Sequence, residues 1–140
     1  MKQEDKDLLL KDLCSRLPYG VKAYIKNWSK LDRKYYEGVY TVGSVYPSIN
    51  NIYGYTENGS VEVILGYSDY FIKPYLFPLS SMTEEQDKEF ALLQTNVHTS
   101  GFLFASDCSD MINWLNKNHF DYRGLIPMGL ALDATGLNIY

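Results

Sequence analysis

The sequence has very little of the two residue types that most often build metal and redox sites. Among 140 residues it contains two cysteines, Cys14 and Cys108, and two histidines, His98 and His119. No two of them stand at the short spacings at which zinc ligands recur, so we predict no metal site. Both cysteines fall in helical patterns of apolar residues, where an unpaired thiol acts as a small hydrophobic group. No disulfide is predicted.

Long apolar runs are also missing. No stretch approaches the roughly 18 apolar residues that a membrane-spanning helix needs. The first residues, MKQEDKDLLLKDL, place three leucines between charges of both signs, unlike the apolar centre of a secretion signal. The sequence also lacks a glycine-rich phosphate loop. We therefore expect a cytoplasmic protein that has no membrane contact and no cofactor.

What is present is the composition of an ordinary folded domain. Hydrophobic residues make up 46% of the chain and charged residues 21%, which predicts one domain over residues 1–140. The net charge of −4 disfavours a general affinity for nucleic acid. The charge is uneven, however, because residues 22–34 hold five basic side chains against one acidic side chain.

The first half of the chain predicts a helix followed by a small sheet. Apolar residues at three- and four-residue spacing indicate a helix over residues 3–17. Alternation over residues 21–26 indicates a first strand, and residues 35–45, rich in aromatic and β-branched side chains, a second. We interpret residues 27–34 as a polar connection between them.

Further strands are expected on either side of Asn58-Gly59, a dipeptide that favours a two-residue type I′ turn. The segment YFIKPYL adds a short strand that Pro74 restricts to a sheet edge, because proline has no N–H to donate. Four or five such strands predict either a small antiparallel sheet or an SH3-like barrel. The pattern does not decide between these two.

The segment KPYLFPLSSMTEEQ predicts the joint between sheet and helices. Ser81 with Glu84, or Thr83 with Gln86, has the spacing of a capping box, so a second helix should begin here and continue to about residue 94. A third helix is expected over about residues 107–116. We expect its apolar stripe and the neighbouring Trp114 to be buried in the core; the stripe is Cys108, Met111, Ile112 and Leu115. An irregular packed tail completes an α+β fold.

Three blocks of the chain carry a family resemblance: KDLCSRLPYGVK, KPYLFPLSSMTEEQ and WLNKNHFDYRGLIPMGLALDA. In these blocks the chain resembles a family of small uncharacterised proteins encoded in gut Bacteroidetes genomes and their phages or mobile elements. The resemblance implies that residues 23–72 vary among members. It implies no activity, ligand or catalytic residue.

Tyrosine is the most over-represented residue, with 13 copies, of which eleven lie between positions 19 and 75. A tyrosine offers a large apolar ring and a hydroxyl at small entropic cost, which suits a recognition surface. It also favours strands, so these residues can simply cover the core. The candidate binding residues are Lys22, Tyr24, Lys26, Tyr36, Tyr40, Tyr53 and Tyr55.

Three hypotheses of function follow. The first is a non-enzymatic protein that holds a protein partner on its tyrosine-rich sheet, with its oligomeric state left open. The second is a single-stranded nucleic acid binding module, since aromatics beside lysines are the elements of a stacking platform. The third is an enzyme of unknown reaction centred on residues 119–123, where His119, Asp121, Tyr122 and Arg123 could form an acid–base group or anion clamp. Pairing and capping of backbone groups is the structural alternative for that cluster.

Overall fold

The computed structural model describes residues 1–67, 70–99 and 105–140. It confirms an α+β fold in which a helix, a sheet and two further helices follow in order. The elements are α1 Gln3–Arg16, β1 Lys22–Ser29, β2 Lys34–Tyr46, β3 Asn51–Thr56, β4 Gly59–Ile64, β5 Tyr70–Leu76, α2 Glu84–Thr99, α3 Ala105–Lys117 and β6 Leu132–Asp133. None of the helices in these ranges is long and apolar enough to cross a membrane.

The strands form one open sheet in the order β4-β3-β2-β1-β5-β6. Every pairing is antiparallel except that of β5 with β6. Within the described ranges no ladder joins β4 to the opposite edge, so the barrel alternative was wrong. The count of four or five strands was also too low, because β6 lies in the predicted irregular tail. Two residues are too few to show a strand pattern.

The predicted β3–β4 hairpin is present, but its turn lies one residue earlier. Thr56 pairs with Gly59, which leaves Glu57 and Asn58 as the two loop residues. Gly59 has φ +144°, a backbone conformation that L side chains rarely adopt. The glycine is therefore required where β4 begins, and the predicted Asn58-Gly59 turn was wrong by one position.

Helix α1 packs against the concave face of the curled sheet. Its leucines at positions 9, 10 and 13 are buried with apolar side chains from every strand of the main ladder and with Leu125 and Leu130 of the tail. The curl also brings β1 near β4, where the Asn27 amide donates a hydrogen bond of 2.7 Å to the Glu62 carbonyl. The tail thus closes the core, as the apolar sequence after α3 predicted.

The segment before α2 is a structural joint. Gln86 Oε1 accepts from the Thr83 backbone N–H at 3.0 Å, and Thr83 Oγ1 accepts from the Gln86 N–H at 3.2 Å. This reciprocal pair is the second of the two predicted capping boxes. The Ser81 hydroxyl donates instead to the Pro78 carbonyl at 2.7 Å, so the Ser81–Glu84 alternative was wrong.

Helix α3 buries less of its stripe than the pattern predicted. Leu115 is buried, but Ile112 is exposed. Trp114 is half-buried, because its ring stacks between Phe90 and Phe120 at centroid distances of 5.4 and 5.7 Å. Its indole N–H donates to Glu89 Oε2 at 3.0 Å. The prediction that Ile112 and Trp114 belong to the main core was wrong, since Trp114 joins α2 to the tail.

Candidate functional site

Alternation along β1 places its polar and aromatic residues on the convex side of the sheet. Ala23 and Ile25 are fully buried on the concave side, so Tyr24, Lys26 and Trp28 point the other way. The strand continues through Ser29, which confines the turn to residues 30–33. The predicted connection over 27–34 was therefore too long, because the polar Asn27 hid the continuing alternation.

The register of the neighbouring strands completes this convex surface. Trp28 lies opposite Tyr35, and Tyr24 lies between Val39 on β2 and Lys73 on β5. We call the surface the aromatic face; its members are Tyr24, Lys26, Trp28, Tyr35, Glu37, Val39, Phe71 and Lys73. Three of its large side chains are exposed, Tyr35 by 52%, Val39 by 41% and Phe71 by 40%. A cluster of this kind is typical of an interaction site.

The rings on the aromatic face are held by one another and by lysines. Trp28 and Tyr35 pack with centroids 4.8 Å apart, and Tyr24 meets Phe71 edge to face at 5.9 Å. Lys26 Nζ lies 4.7 Å from the Tyr35 centroid, and Lys73 Nζ lies 5.1 Å from that of Phe71. Cation–π contacts therefore cover one side of each of the two most exposed rings.

Glu37 is the one acidic residue of the aromatic face. Its carboxylate accepts from the Tyr24 hydroxyl at 2.8 Å and lies 3.9 Å from Lys26 Nζ. The hydrogen bond to Glu37, followed by desolvation, raises the pKa of Tyr24. With Lys26 and Lys73 against Glu37, the face carries a positive excess on a chain whose net charge is −4.

Five of the seven candidate binding residues lie on the convex side, and two do not. Lys22, Tyr24 and Lys26 follow one another along β1, although Lys22 Nζ donates to the Ile139 carbonyl at 2.9 Å. Tyr36 and Tyr40 lie opposite Asn27 and Ala23, which places them on the concave side. Tyr40 packs against the core. The structure therefore does not bring Tyr36 and Tyr40 into the surface formed by the others.

Tyr53 and Tyr55 reach the convex side on β3, after an irregularity between Val42 and Ser44 of β2. The Tyr55 ring lies directly over Gly43, where an added Cβ would meet the ring at 2.8 Å. A cleft of about 430 Å³ joins Tyr55 to Val39 and thus to the aromatic face. The Tyr53 hydroxyl donates to Glu62 Oε1 at 2.8 Å, and this bond raises the pKa of Tyr53.

The sequence reasoning missed most of the aromatic face. Trp28 could have been found by extending the Lys22, Tyr24, Lys26 alternation two residues further. Tyr35 could not be told from Tyr36, because the choice depends on the length of the β1–β2 turn. Phe71 and Lys73 alternate with Ile72, but which of these two sets faces outward depends on the pairing of β5 with β1.

The alternative polar cluster is engaged in internal contacts. The Asp121 carboxylate accepts from the backbone N–H groups of Leu125 and Ile126, both at 2.8 Å. Arg123 Nη1 donates to Asp12 Oδ1 at 2.7 Å. The Tyr122 hydroxyl donates to Asn116 Oδ1 at 2.9 Å. These contacts correspond to the structural alternative, with Arg123 paired to α1 rather than to Asp121.

His119 is buried, and its ring stacks on Tyr140 with centroids 3.7 Å apart. Desolvation, with smaller effects of Arg16 and Lys22, lowers its pKa to about 4. The imidazole is therefore neutral near pH 7. Burial also raises the pKa of Tyr140 to about 12. The stacked pair holds the end of the chain against the sheet.

Metal ligands are not assembled in the part of the chain that the structure describes, where no group of three or more His, Cys, Asp or Glu residues could hold an ion. The side chain of His98 lies outside the described residues. Comparisons with protein-family models, with curated proteins and with solved structures found no match. The family resemblance therefore stays a prediction.

Proposed function

We propose that this protein is a small non-enzymatic binding module that holds a protein partner on its aromatic face. The observation that carries the proposal is the exposure of Tyr35, Val39 and Phe71 on one convex surface flanked by Lys26 and Lys73. Aromatic side chains at the centre and polar groups at the rim are typical of protein interfaces. The positive excess of the face favours a partner that presents carboxylates around an apolar centre.

A nucleic acid partner has less support. A base stacks on an open ring, whereas Lys26 and Lys73 each lie over one side of an exposed ring. The face also contains no arginine, the side chain that most often combines stacking with phosphate contact. Enzymatic activity at residues 119–123 has less support still, because Asp121 and Arg123 are engaged in internal hydrogen bonds.

The cytoplasmic location belongs to the same proposal. Cys14 and Cys108 are both free thiols. Unpaired cysteines are usual in reducing compartments, where disulfides are rare. The location is supported by this feature and by the composition of the chain.

Site-specific crosslinking tests the proposed surface. A photoreactive phenylalanine analogue is placed at Tyr35 or Val39, and in a matched control at Leu92, an exposed apolar residue of α2. In nuclease-treated lysate, one protein should crosslink at both sheet positions and not at position 92. Phe71→Ala should reduce that crosslink. Equal capture at all three positions, or capture that requires nucleic acid, contradicts the proposal.

The nucleic acid alternative is tested with a labelled mixed-sequence single strand. We expect no appreciable binding at physiological salt. If the alternative is correct, affinity falls with rising salt with a log–log slope of about −0.7 per phosphate contact, and Tyr35→Ala removes about 1–3 kcal/mol of stacking. Micromolar, salt-sensitive binding that is lost in Tyr35→Ala would place the nucleic acid function first.

A further inference from the structure

Among the described residues, no strand pairs with one edge of β5 over residues 70–74, although the Tyr70 N–H already donates to the Tyr67 carbonyl at 3.1 Å. On one side it pairs with β1 from Tyr70 to Pro74. On its other side β6 pairs only with Tyr75 and Leu76. An unpaired edge is a template on which another extended chain can add.

The hydrogen bonds at the end of β5 show which backbone groups face this edge. The Tyr75 carbonyl accepts from the Tyr140 hydroxyl, which itself accepts from the Lys22 N–H on β1. The Leu76 carbonyl points the other way, to the Ala134 N–H. Because the two sides alternate along a strand, the N–H and C=O of Ile72 face the unpaired edge. Pro74 has its missing N–H on that same side, so it removes nothing from the β1–β5 ladder.

A cavity of about 340 Å³ lies against the same edge. Its walls include Leu65, Tyr67, Ile72 and Leu130, so it is mainly apolar. Lys6 reaches its rim, since Lys6 Nζ would lie 2.7 Å from a Cβ added to Gly66. Lys73 also lines the cavity. The unpaired edge therefore adjoins an apolar cavity with two cationic side chains around it.

We propose that β5 binds an extended peptide segment of the partner as an additional strand of the sheet. Alternate side chains of such a segment point to opposite faces. Those on the concave side enter the cavity beside Leu65 and Leu130 and are apolar. Those on the convex side continue the aromatic face beside Phe71 and Lys73, where the lysine favours a carboxylate. This inference rests on the proposed function in one respect, that the partner is a protein.

The experiment uses peptides that require no knowledge of the partner. A library of random peptides of about ten residues, long enough for one strand, is selected on the immobilised full chain. We expect enriched sequences to alternate apolar with acidic residues. The selected peptide is then synthesised with single N-methyl groups at each position in turn. N-methylation should weaken binding about tenfold or more at alternate positions, whose N–H groups bond to β5, and little at the positions between them.

Two variants of the protein give a matched control. Tyr67→Ala removes an exposed wall of the cavity, whereas Tyr46→Ala removes a similarly exposed tyrosine at the far end of β2. Each tyrosine meets one other ring edge to face. We expect Tyr67→Ala to lower the affinity for the selected peptide at least about fivefold and Tyr46→Ala to leave that affinity unchanged. Amide NMR shifts on binding should centre on Ile72.

The outcomes separate this inference from the proposed function. An N-methyl scan without a two-residue period, or peptide binding unaffected by Tyr67→Ala, overturns strand addition even if crosslinking at Tyr35 succeeds. An N-methyl scan with a two-residue period, together with amide NMR shifts centred on Ile72, supports strand addition even if crosslinking at Tyr35 fails. The partner then binds at the edge of β5 instead of on the aromatic face. Selection of no peptide at all also overturns the inference.

Discussion

Asp12→Ala should destabilise the protein more than any other single carboxylate replacement on α1. The side chains of Asp12 and Arg16 are both fully buried. Asp12 accepts from Arg16 Nε at 2.8 Å, from Arg16 Nη2 at 3.0 Å and from Arg123 Nη1 at 2.7 Å. Within the described part of the chain, removing the carboxylate leaves the Phe120 carbonyl, at 2.7 Å, as the remaining hydrogen-bond acceptor of Arg16.

The size of the expected stability loss follows from leaving the buried charge of Arg16 without its carboxylate partner. Loss of one member of a buried ion pair costs about 3–5 kcal/mol. Arg123 is partly exposed and can turn toward water. Water then hydrates its charge, so only the charge of Arg16 stays buried without its carboxylate partner. Arg16 is fully enclosed, and among the described residues its Nη1 has no hydrogen-bond partner even before the substitution. We therefore expect a loss of about 3–4 kcal/mol, in the lower half of that range.

Urea unfolding followed by far-ultraviolet circular dichroism measures the loss. Asp7→Ala is the matched control, because Asp7 lies on the same helix but is exposed and accepts from Gln3. It should change the free energy of unfolding by less than about 0.5 kcal/mol. A double variant, Asp12→Ala with Arg16→Met, should be more stable than the sum of its single variants predicts. A loss below about 1 kcal/mol for Asp12→Ala, or strict additivity, would refute the reasoning.

Three further predictions concern other contacts. The pKa of His119 is about 4 in the folded protein against an ordinary 6.5, so the unfolded chain takes up the proton first and the free energy of unfolding falls as the pH drops from 6.5 toward 4. His119→Asn, in which asparagine tolerates the local φ of +60°, should reduce this pH dependence of the free energy of unfolding. An unchanged pH dependence would contradict the lowered pKa of His119. Thr83→Ala should lower the free energy of unfolding by about 1 kcal/mol through loss of the helix cap, as measured by thermal unfolding. Ser81→Ala should lower it clearly less. Equal losses in the two variants would contradict the capping box of Thr83 and Gln86. Gly54→Ala should cost about 1–3 kcal/mol in urea, because an added Cβ would lie 2.7 Å from Ile25 Cδ1, and unchanged stability would contradict this packing.

The order of elements could be predicted because each depends on local periodicity. The α1 leucines, the β1 alternation and the cap at Thr83 are all patterns within a few residues of sequence. The strand with Pro74 was expected at a sheet edge; β5 instead lies between β1 and β6, but β6 pairs only with Tyr75 and Leu76, so Pro74 itself lies on the stretch without a second neighbouring strand. Local patterns do not contain the register of strand pairing. Whether Tyr35 or Tyr36 of β2 faces the convex side depends on the length of the β1–β2 turn, which is four residues.

The candidate site was only partly predictable for the same reason. Lys22, Tyr24 and Lys26 share a face whatever strand pairs with β1, so their grouping followed from alternation alone. Phe71 joined them only through the pairing of β5 with β1. The burial of Arg16 was also outside local reasoning, because its partner Phe120 lies 104 residues away.

The same long separations set the time at which this chain can fold during synthesis. The Tyr140 hydroxyl that lies between β1 and β5 is 118 residues from Lys22. At ribosomal rates of about 5–20 residues per second, roughly 5–20 seconds pass between the synthesis of Arg16 and that of Phe120. Until then the Arg16 side chain of α1 lacks the Phe120 carbonyl that accepts its hydrogen bond. A nascent chain therefore keeps its sheet edges and its α1 leucines accessible to chaperones at least until Phe120 and Tyr140 have been synthesised.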